Sequence, residues 1–134
     1  MATSVGNTRV FIDANILLEV ILNRPRQRVA RQLLADNPAN RYISALTGHL
    51  VMHFGSNIAT FGTLQAFLAD YTLLPLDESN FKWAFTNTLD NDFEDALQLA
   101  VATAAGCGRF VTFDQELYKH YRGNVEPLKI ELLA

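Results

Sequence analysis

Short apolar runs alternate with amphipathic segments along the whole chain. Apolar and β-branched residues cluster at 9–12, 42–45, 72–76 and 109–113, with a fifth run at 126–130. Between these runs the apolar positions recur at helical spacing, as at Ile16, Leu17, Val20 and Ile21. Because strands alternate with helices, the pattern predicts a three-layer α/β/α fold with a central, mostly parallel sheet of about five strands.

Helix boundaries follow from capping and breaking residues. The pattern predicts helices over 14–22, 26–36 and 61–69, and further helices ending near 57, 89, 105 and 121. Thr47 is expected to cap the third helix, and Asp92 or Asn91 begins the long one that Gly106 ends. Pro75 predicts that the third strand lies at an edge of the sheet. No repeat or linker interrupts the chain, so we expect one domain over 1–134.

Composition narrows the class of protein. The 134 residues are 49% hydrophobic and 19% charged, which is enough apolar material for a core and excludes a long charged tail. Cys107 is the single cysteine, so no disulfide can form within the chain, as suits a reducing compartment. The N-terminal residues lack a basic segment followed by an apolar run, so we expect no signal peptide and a cytoplasmic protein.

The charges are unevenly distributed. Residues 1–41 carry a balance of +3 and residues 42–134 a balance of −6, while residues 42–69 contain no formally charged side chain. Histidines and three glycines interrupt that uncharged stretch, so it predicts a buried or partner-covered helical region and no membrane span. The net charge of −3 argues against a generic, basic nucleic-acid-binding protein.

Aspartates stand where the predicted strands end. Asp13 follows the first strand and Asp114 follows the fourth, while Asp92 and Asp95 open the helix that leads into the fourth. In an open parallel sheet, ligands bind outside the carboxyl ends of the strands. If the first and fourth strands are neighbours, Asp13, Asp95 and Asp114 converge at this edge.

Converging carboxylates predict a cation site. Three close carboxylates repel one another, and a hard cation with a preference for oxygen ligands, Mg²⁺ or Mn²⁺, removes that cost. Such a site can polarise a phosphodiester and activate a water. The alternative is that Asp13, Asp92 and Asp114 only cap the helices that follow them. A phosphoacceptor domain of the receiver type is a weaker alternative, because Asp13 has no acidic neighbour in the chain.

Four segments in order resemble a PIN domain, the fold of the VapC-type ribonuclease toxins. They are Val-Phe-Ile-Asp13-Ala-Asn15, Tyr-Ile-Ser-Ala-Leu-Thr47, Asp92-Phe-Glu-Asp95-Ala-Leu and Phe-Val-Thr112-Phe-Asp114. The resemblance covers nearly the whole chain. It implies a divalent-metal-dependent RNA endonuclease that uses a quartet of acidic residues, is usually a homodimer and is often neutralised by an antitoxin.

The resemblance also implies roles for individual residues. Asp13, Asp95 and Asp114 match the catalytic, metal-binding acids, and Asp92 is an additional metal-binding acid near them. Asn15 and Thr112 match the polar residues that support the first and last of these acids.

The second acid of the quartet is missing, because Leu50 stands where the family has a glutamate. Three interpretations remain open. Either of two nearby histidines, His49 and His53, supplies a ligand; the remaining acids hold one metal more weakly; or the chain is an inactive PIN-like module that binds RNA or a protein partner.

Arginines cluster where the second helix begins. Arg24, Arg26 and Arg28 could hold RNA phosphates, which arginine contacts through paired N–H donors. The alternative is that they form an ordinary solvated helix face, or that Arg24 meets an antitoxin or a second subunit.

Overall fold

The computed structural model describes residues 8–134, so the expectation of no signal peptide rests largely on residues outside the described part. Five parallel strands form one sheet in the order β3-β2-β1-β4-β5. The strands are β1 (Val10–Ile12), β2 (Arg41–Ser44), β3 (Thr72–Leu74), β4 (Arg109–Thr112) and β5 (Lys129–Leu132). The helices are α1 (Ala14–Ile21), α2 (Gln27–Asp36), α3 (Ala45–Gly55), α4 (Phe61–Leu68), α5 (Glu78–Asn87), α6 (Phe93–Ala104) and α7 (Gln115–Tyr121).

Alternating side chains of the central strands build a core on each face of the sheet. Val10 and Ile12 of β1 pack with α1 to α4, whereas Phe11 packs with α5 to α7 and stacks on Phe110 of β4. The strand side chains that face each of the two cores are almost fully buried. The predicted three-layer α/β/α fold with a parallel five-stranded sheet is therefore confirmed.

Several predicted boundaries shift. The last strand covers Lys129–Leu132 and not 126–130, because its pairing with β4 begins at Lys129 opposite Arg109. The third helix begins at Ala45, and its N-cap is Ser44, whose hydroxyl accepts the backbone N–H of Thr47. Thr47 is thus inside the first turn and does not cap it. The edge position of β3 and the end of α6 before Gly106, at φ +69°, are as predicted.

The uncharged stretch 42–69 forms β2, α3 and α4, but α3 and α4 are not wholly buried. Phe54, Ile58 and Phe61 on and between these helices are 45%, 56% and 70% exposed, so an interior position does not explain the missing charges. Across residues 8–134, no helix combines the length and apolar character that crossing a membrane requires.

Candidate functional site

The adjacency of β1 and β4 brings two of the predicted acids to one edge of the sheet. Ile12 lies opposite Val111, and the backbone N–H of Asp13 donates to the carbonyl of Val111 at 3.0 Å. Asp13 therefore lies just beyond the carboxyl end of β1, and Asp114 two residues beyond that of β4. This is the edge at which open parallel sheets bind their ligands.

Thr112 connects the two strand-end aspartates. Its hydroxyl donates to Oδ2 of Asp13 at 2.7 Å and accepts the backbone N–H of Asp114 at 2.9 Å. Oδ1 of Asp13 accepts the backbone N–H of Ala14 at 2.8 Å, so Asp13 also caps α1. Asp114 caps α7 by accepting the N–H groups of Glu116 and Leu117. Asp13 and Asp114 therefore cap helices, as the alternative interpretation predicted, and they also converge on one edge of the sheet.

Burial makes the Asp13 carboxylate costly to ionise. Its side chain is 5% exposed, and loss of hydration raises its pKa from 3.8 to about 6. The bonds from Thr112 and Ala14 lower the pKa, while the charges of Asp114 and Glu94 raise it. Asp13 thus lies close enough to both acids to be affected by their charges.

An open cavity of about 720 Å³ lies where α6 and α7 begin. Its lining is mainly acidic and polar: Leu89, Asp90, Asn91, Asp92, Phe93, Glu94, Asp95, Asp114, Glu116 and His120. Three of the predicted acids, Asp92, Asp95 and Asp114, line it, and Asp13 does not. Asp13 is therefore buried at the sheet edge, within electrostatic reach of Asp114 on the cavity wall.

Asp95 is the strongly perturbed carboxyl of this cavity. It lies in the first turn of α6, where Asp92 forms the N-cap by accepting the backbone N–H of Glu94. Burial raises the pKa of Asp95 well above its usual range, and hydrogen bonding with the Asp90 carboxyl and repulsion from Asp92 and Asp114 raise it further. The pKa of Glu94 is also raised, by burial and then by Asp92.

Four titratable cavity residues were not predicted as site residues from the sequence: Asp90, Glu94, Glu116 and His120. Asp90 Oδ1 accepts the Tyr121 hydroxyl at 3.3 Å and the backbone N–H of Asp92 at 3.1 Å, and the Asp90 carboxyl is the hydrogen-bonding neighbour of Asp95. Glu116 and His120 lie four residues apart on α7 and share one face of that helix, but they are two and six residues from Asp114, so helical spacing from Asp114 does not indicate them. Asp90 lies outside any helix, and nothing in the spacing indicates it.

The α3 side of the site is neutral. Leu50 of α3 is half-buried, and the buried hydroxyl of Thr47 on the same helix accepts the side-chain amide of Gln98 from α6 at 2.9 Å. His49 and His53 are exposed, stack on each other with ring centroids 5.9 Å apart, and do not line the cavity. The geometry therefore offers no support for a histidine ligand in place of the missing glutamate.

Other predicted residues lie around this edge. Asn15 is exposed in the first turn of α1 and does not line the cavity. The exposed arginines divide into two places: Arg28 and Arg31 border a shallow groove on α2, whereas Arg26 lies over the ring of Phe113. Cys107 is buried, and burial raises the pKa of its thiol to about 11, which disfavours a nucleophilic role.

The donor set fits a hard divalent cation. All the acidic groups around the cavity offer oxygen ligands, and a cation would offset the repulsion that raises the pKa of Asp95. Among residues 8–134, no group of three or more His, Cys, Asp or Glu side chains is already arranged as a ligand set. In this geometry a cation would be held by fewer than three of these side chains, and one or two carboxylates with several waters are ligands by which proteins typically hold Mg²⁺.

A parallel α/β/α sheet with buried and cavity-lining acids beyond its central strands defines the class of this protein. The sequence profile of the PIN domain matches residues 10–123, and the chain belongs to that family. A search of the curated proteins gives no match.

Solved structures with similar folds include members of toxin–antitoxin systems. A toxin–antitoxin complex from Klebsiella pneumoniae has a TM-score of 0.72 and 19% identity, over 89% of this chain and 94% of that one. VapBC bound to DNA from Salmonella typhimurium gives 0.66 and 16%, over 95% and 99%. VapC20 of Mycobacterium tuberculosis, a Sarcin-Ricin loop cleaving toxin, gives 0.64 and 16%, over 82% and 93%. The predicted resemblance to VapC-type PIN proteins is thereby confirmed at the level of fold.

Proposed function

We propose that this chain is a divalent-metal-dependent endoribonuclease of the toxin–antitoxin type that hydrolyses RNA phosphodiesters. The observation that carries this proposal is the group of acids at the β1–β4 edge, where burial and repulsion raise the pKa values of Asp13 and Asp95. Carboxylates that are this costly to ionise without a counter-charge are typical of functional sites.

Asp13, Asp95 and Asp114 would hold Mg²⁺ or Mn²⁺, with Asp92 as an additional ligand. When bound, the cation would polarise the phosphodiester and supply an activated water. Thr112 keeps Asp13 in one orientation and favours its ionised form through the 2.7 Å hydrogen bond. Asn15 would support Asp13 from the first turn of α1, and the catalytic role of the three aspartates remains a prediction.

RNA is the proposed substrate. The similar VapC20 structure is described as that of a Sarcin-Ricin loop cleaving toxin, which supports this choice by analogy. The net charge is compatible with an RNA substrate. Without Asp13, Asp92, Asp95 and Asp114 the formal net charge of the chain would be +1. Much of the negative charge is thus concentrated in a site that a cation would offset. An RNA substrate also suits the expected cytoplasmic location.

Partners are proposed on the same basis. Several similar structures are complexes, among them VapBC from Salmonella typhimurium and FitAB bound to a DNA fragment, which supports an antitoxin partner for this chain. A homodimer is the second proposed assembly, as the family resemblance implies.

The alternative is an inactive PIN-like module that binds RNA or a protein partner. The half-buried Leu50 favours it, because this side chain leaves the α3 side of the site without a carboxylate. The two proposals differ in whether the wild-type chain cleaves RNA at all.

The test is cleavage of a labelled RNA by the whole chain with Mn²⁺, Mg²⁺ or excess EDTA. We expect metal-dependent cleavage that falls by roughly two orders of magnitude or more in Asp13→Asn and Asp95→Asn, since removing charge stabilisation at a reacting group typically costs this much. Asp36→Asn, an exposed acid of α2, is the matched control and should retain activity. Unchanged cleavage in both site variants would contradict the proposed site, and no cleavage with any metal would favour the inactive module.

A further inference from the structure

The loop between α1 and α2 is fixed by a buried acid. Glu19 of α1 is only 7% exposed, and its carboxylate accepts the backbone N–H of Arg26 at 2.9 Å. The backbone carbonyl of Glu19 also accepts the N–H of Arg24 at 3.0 Å. A buried carboxylate that accepts hydrogen bonds is well ordered. The loop therefore has a defined path, and the backbone of Arg26 has a defined position.

Arg26 is held at the sheet edge by an aromatic ring. Its guanidinium carbon lies 4.1 Å from the centroid of Phe113, within cation–π distance, and that ring is 5% exposed. Phe113 directly follows Thr112, which bonds to Asp13, and directly precedes Asp114. The guanidinium therefore lies on a residue whose two chain neighbours both belong to the candidate site.

This cation has no carboxylate counter-ion. Within residues 8–134, Arg26 makes no ion pair and its side chain donates no hydrogen bond. Some arginines are engaged: Arg109 pairs with Glu131, and Arg9 donates to the carbonyl of Ala105 at 2.7 Å. In the described part of the chain, Arg24 and Arg28 also lack an ion pair and a side-chain hydrogen bond, and the contact with Phe113 distinguishes Arg26 from them. The flat guanidinium of Arg26 thus keeps all its N–H donors for an anion from outside the chain.

We propose that Arg26, seated on Phe113, the residue that precedes Asp114 in the chain, binds a backbone phosphate of the RNA that flanks the phosphodiester to be cut. This inference rests on the proposed function for the identity of the substrate. The acids of the cavity repel a polyanion, so the strand needs a cationic contact next to them. Arginine matches phosphate oxygens with paired N–H donors, and phosphate contacts set the register of a bound strand without reading its sequence.

A phosphate fits this place better than an acidic protein partner does. An RNA strand whose reacting phosphodiester lies at the carboxylates also lies along this edge of the sheet. The phosphates that flank the reacting one are then at this edge as well. An acidic protein surface would meet the same repulsion from Asp92, Glu94 and Asp114 as RNA does, but it has no reacting phosphodiester that the proposed cation would bind there. Protein binding without RNA binding is therefore the outcome that opposes the proposal.

The experiment compares wild type, Arg26→Gln, Arg26→Lys and Arg31→Gln as whole chains. Arg31 is the matched control, because it is an exposed arginine of the adjoining helix, away from Phe113. Affinity for a labelled single-stranded RNA is measured by fluorescence anisotropy in EDTA at several salt concentrations, and KM and kcat are measured with Mn²⁺. Thermal unfolding checks that each variant is folded.

We expect Arg26→Gln to weaken RNA binding about tenfold and to reduce the slope of log affinity against log salt by about 0.7, as for one lost single-strand phosphate contact. For RNA cleavage by Arg26→Gln, KM should rise by a similar factor, while kcat should stay within about twofold of the wild-type value. Arg26→Lys should recover part of the affinity, and Arg31→Gln should match wild type.

Equal affinity, salt slope and KM in Arg26→Gln and Arg31→Gln would overturn the proposal, even if cleavage itself is confirmed. Conversely, loss of RNA binding in Arg26→Gln in a chain that never cleaves RNA would support this contact and contradict the proposed nuclease. The two failures are therefore distinguishable.

Discussion

At the scale of the residue, Asp13 has both a structural and a chemical role. As the N-cap of α1 it stabilises the helix that follows β1, and its second oxygen is held by Thr112. The cost of burying this carboxylate is expressed in its pKa of about 6. A bound cation would offset that cost, so the folded chain is more stable with its proposed metal than without it.

This predicts a characteristic dependence of stability on pH. Because the folded pKa of Asp13 lies above its unfolded value of 3.8, its contribution favours folding at low pH and is lost as the pH rises through about 6. In EDTA, we expect the free energy of unfolding to fall by about 1.4 kcal/mol between pH 5 and pH 8 from Asp13 alone. Urea unfolding at both pH values measures it.

Two comparisons make the stability test specific. Asp13→Asn should remove this part of the pH dependence, whereas Asp36→Asn should keep the wild-type slope. Added Mn²⁺ should stabilise wild type more at pH 8 than at pH 5, because the ligands must be ionised to bind it. The same slope in wild type and Asp13→Asn would show that Asp13 is not the titrating group.

At the scale of the element, α3 separates this chain from the family pattern. The helix forms as its sequence predicts, with Ser44 as its cap and Thr47 and Val51 inward, yet it presents Leu50 where an acid is expected. The neutral Thr47–Gln98 contact connects α3 to α6 here. The missing charge is thus local to one helix, and the acids contributed by β1, α6 and the β4–α7 turn are retained.

Restoring the acid is therefore a direct test. We expect Leu50→Glu to bind Mn²⁺ more tightly and to cleave RNA faster than wild type, by about tenfold or roughly 1.4 kcal/mol for one added ligand. The half-buried position lets a carboxylate remain partly hydrated, so the fold should tolerate it. Calorimetric titration of Mn²⁺ and RNA cleavage measure the effect.

The control for this helix is Leu50→Gln, whose side chain is close to that of glutamate in shape and is polar but carries no charge. It should behave as wild type in metal affinity. An equal gain in Leu50→Gln and Leu50→Glu, or no gain in either, would show that position 50 does not face the cation.

Element prediction from the sequence succeeded where periodicity and capping agree. The apolar run of β1 and the stop at Gly106 were readable, because a short apolar run and a helix-ending glycine are strong local signals. The last strand was misplaced, since its start depends on pairing with Arg109, which is a tertiary contact. Asp90 was missed for the same reason: the fold, and not its spacing, places it against Asp95.

At the scale of the whole molecule, the acidic cavity adjoins an exposed aromatic patch. Phe81, Phe85 and Phe93 contact one another, with the Phe85 and Phe93 rings stacked at 5.1 Å, and Phe85 is 71% exposed. Phe93 also lines the cavity. Large exposed apolar groups that are held rigidly mark interaction surfaces, and a two-fold dimer uses the same patch on both subunits.

We therefore expect a homodimer through this aromatic patch, with one cavity from each subunit close to the interface. Because a buried aromatic anchor typically contributes about 2 kcal/mol, Phe85→Ser should weaken dimerisation by roughly 30-fold. Phe61→Ser is the matched control: Phe61 is 70% exposed, on α4 across the sheet. Sedimentation velocity over a range of concentrations measures the dissociation constants. A dimer that Phe61→Ser disrupts and Phe85→Ser leaves intact would place the interface on α4, away from the acids, and the two sites would then act separately.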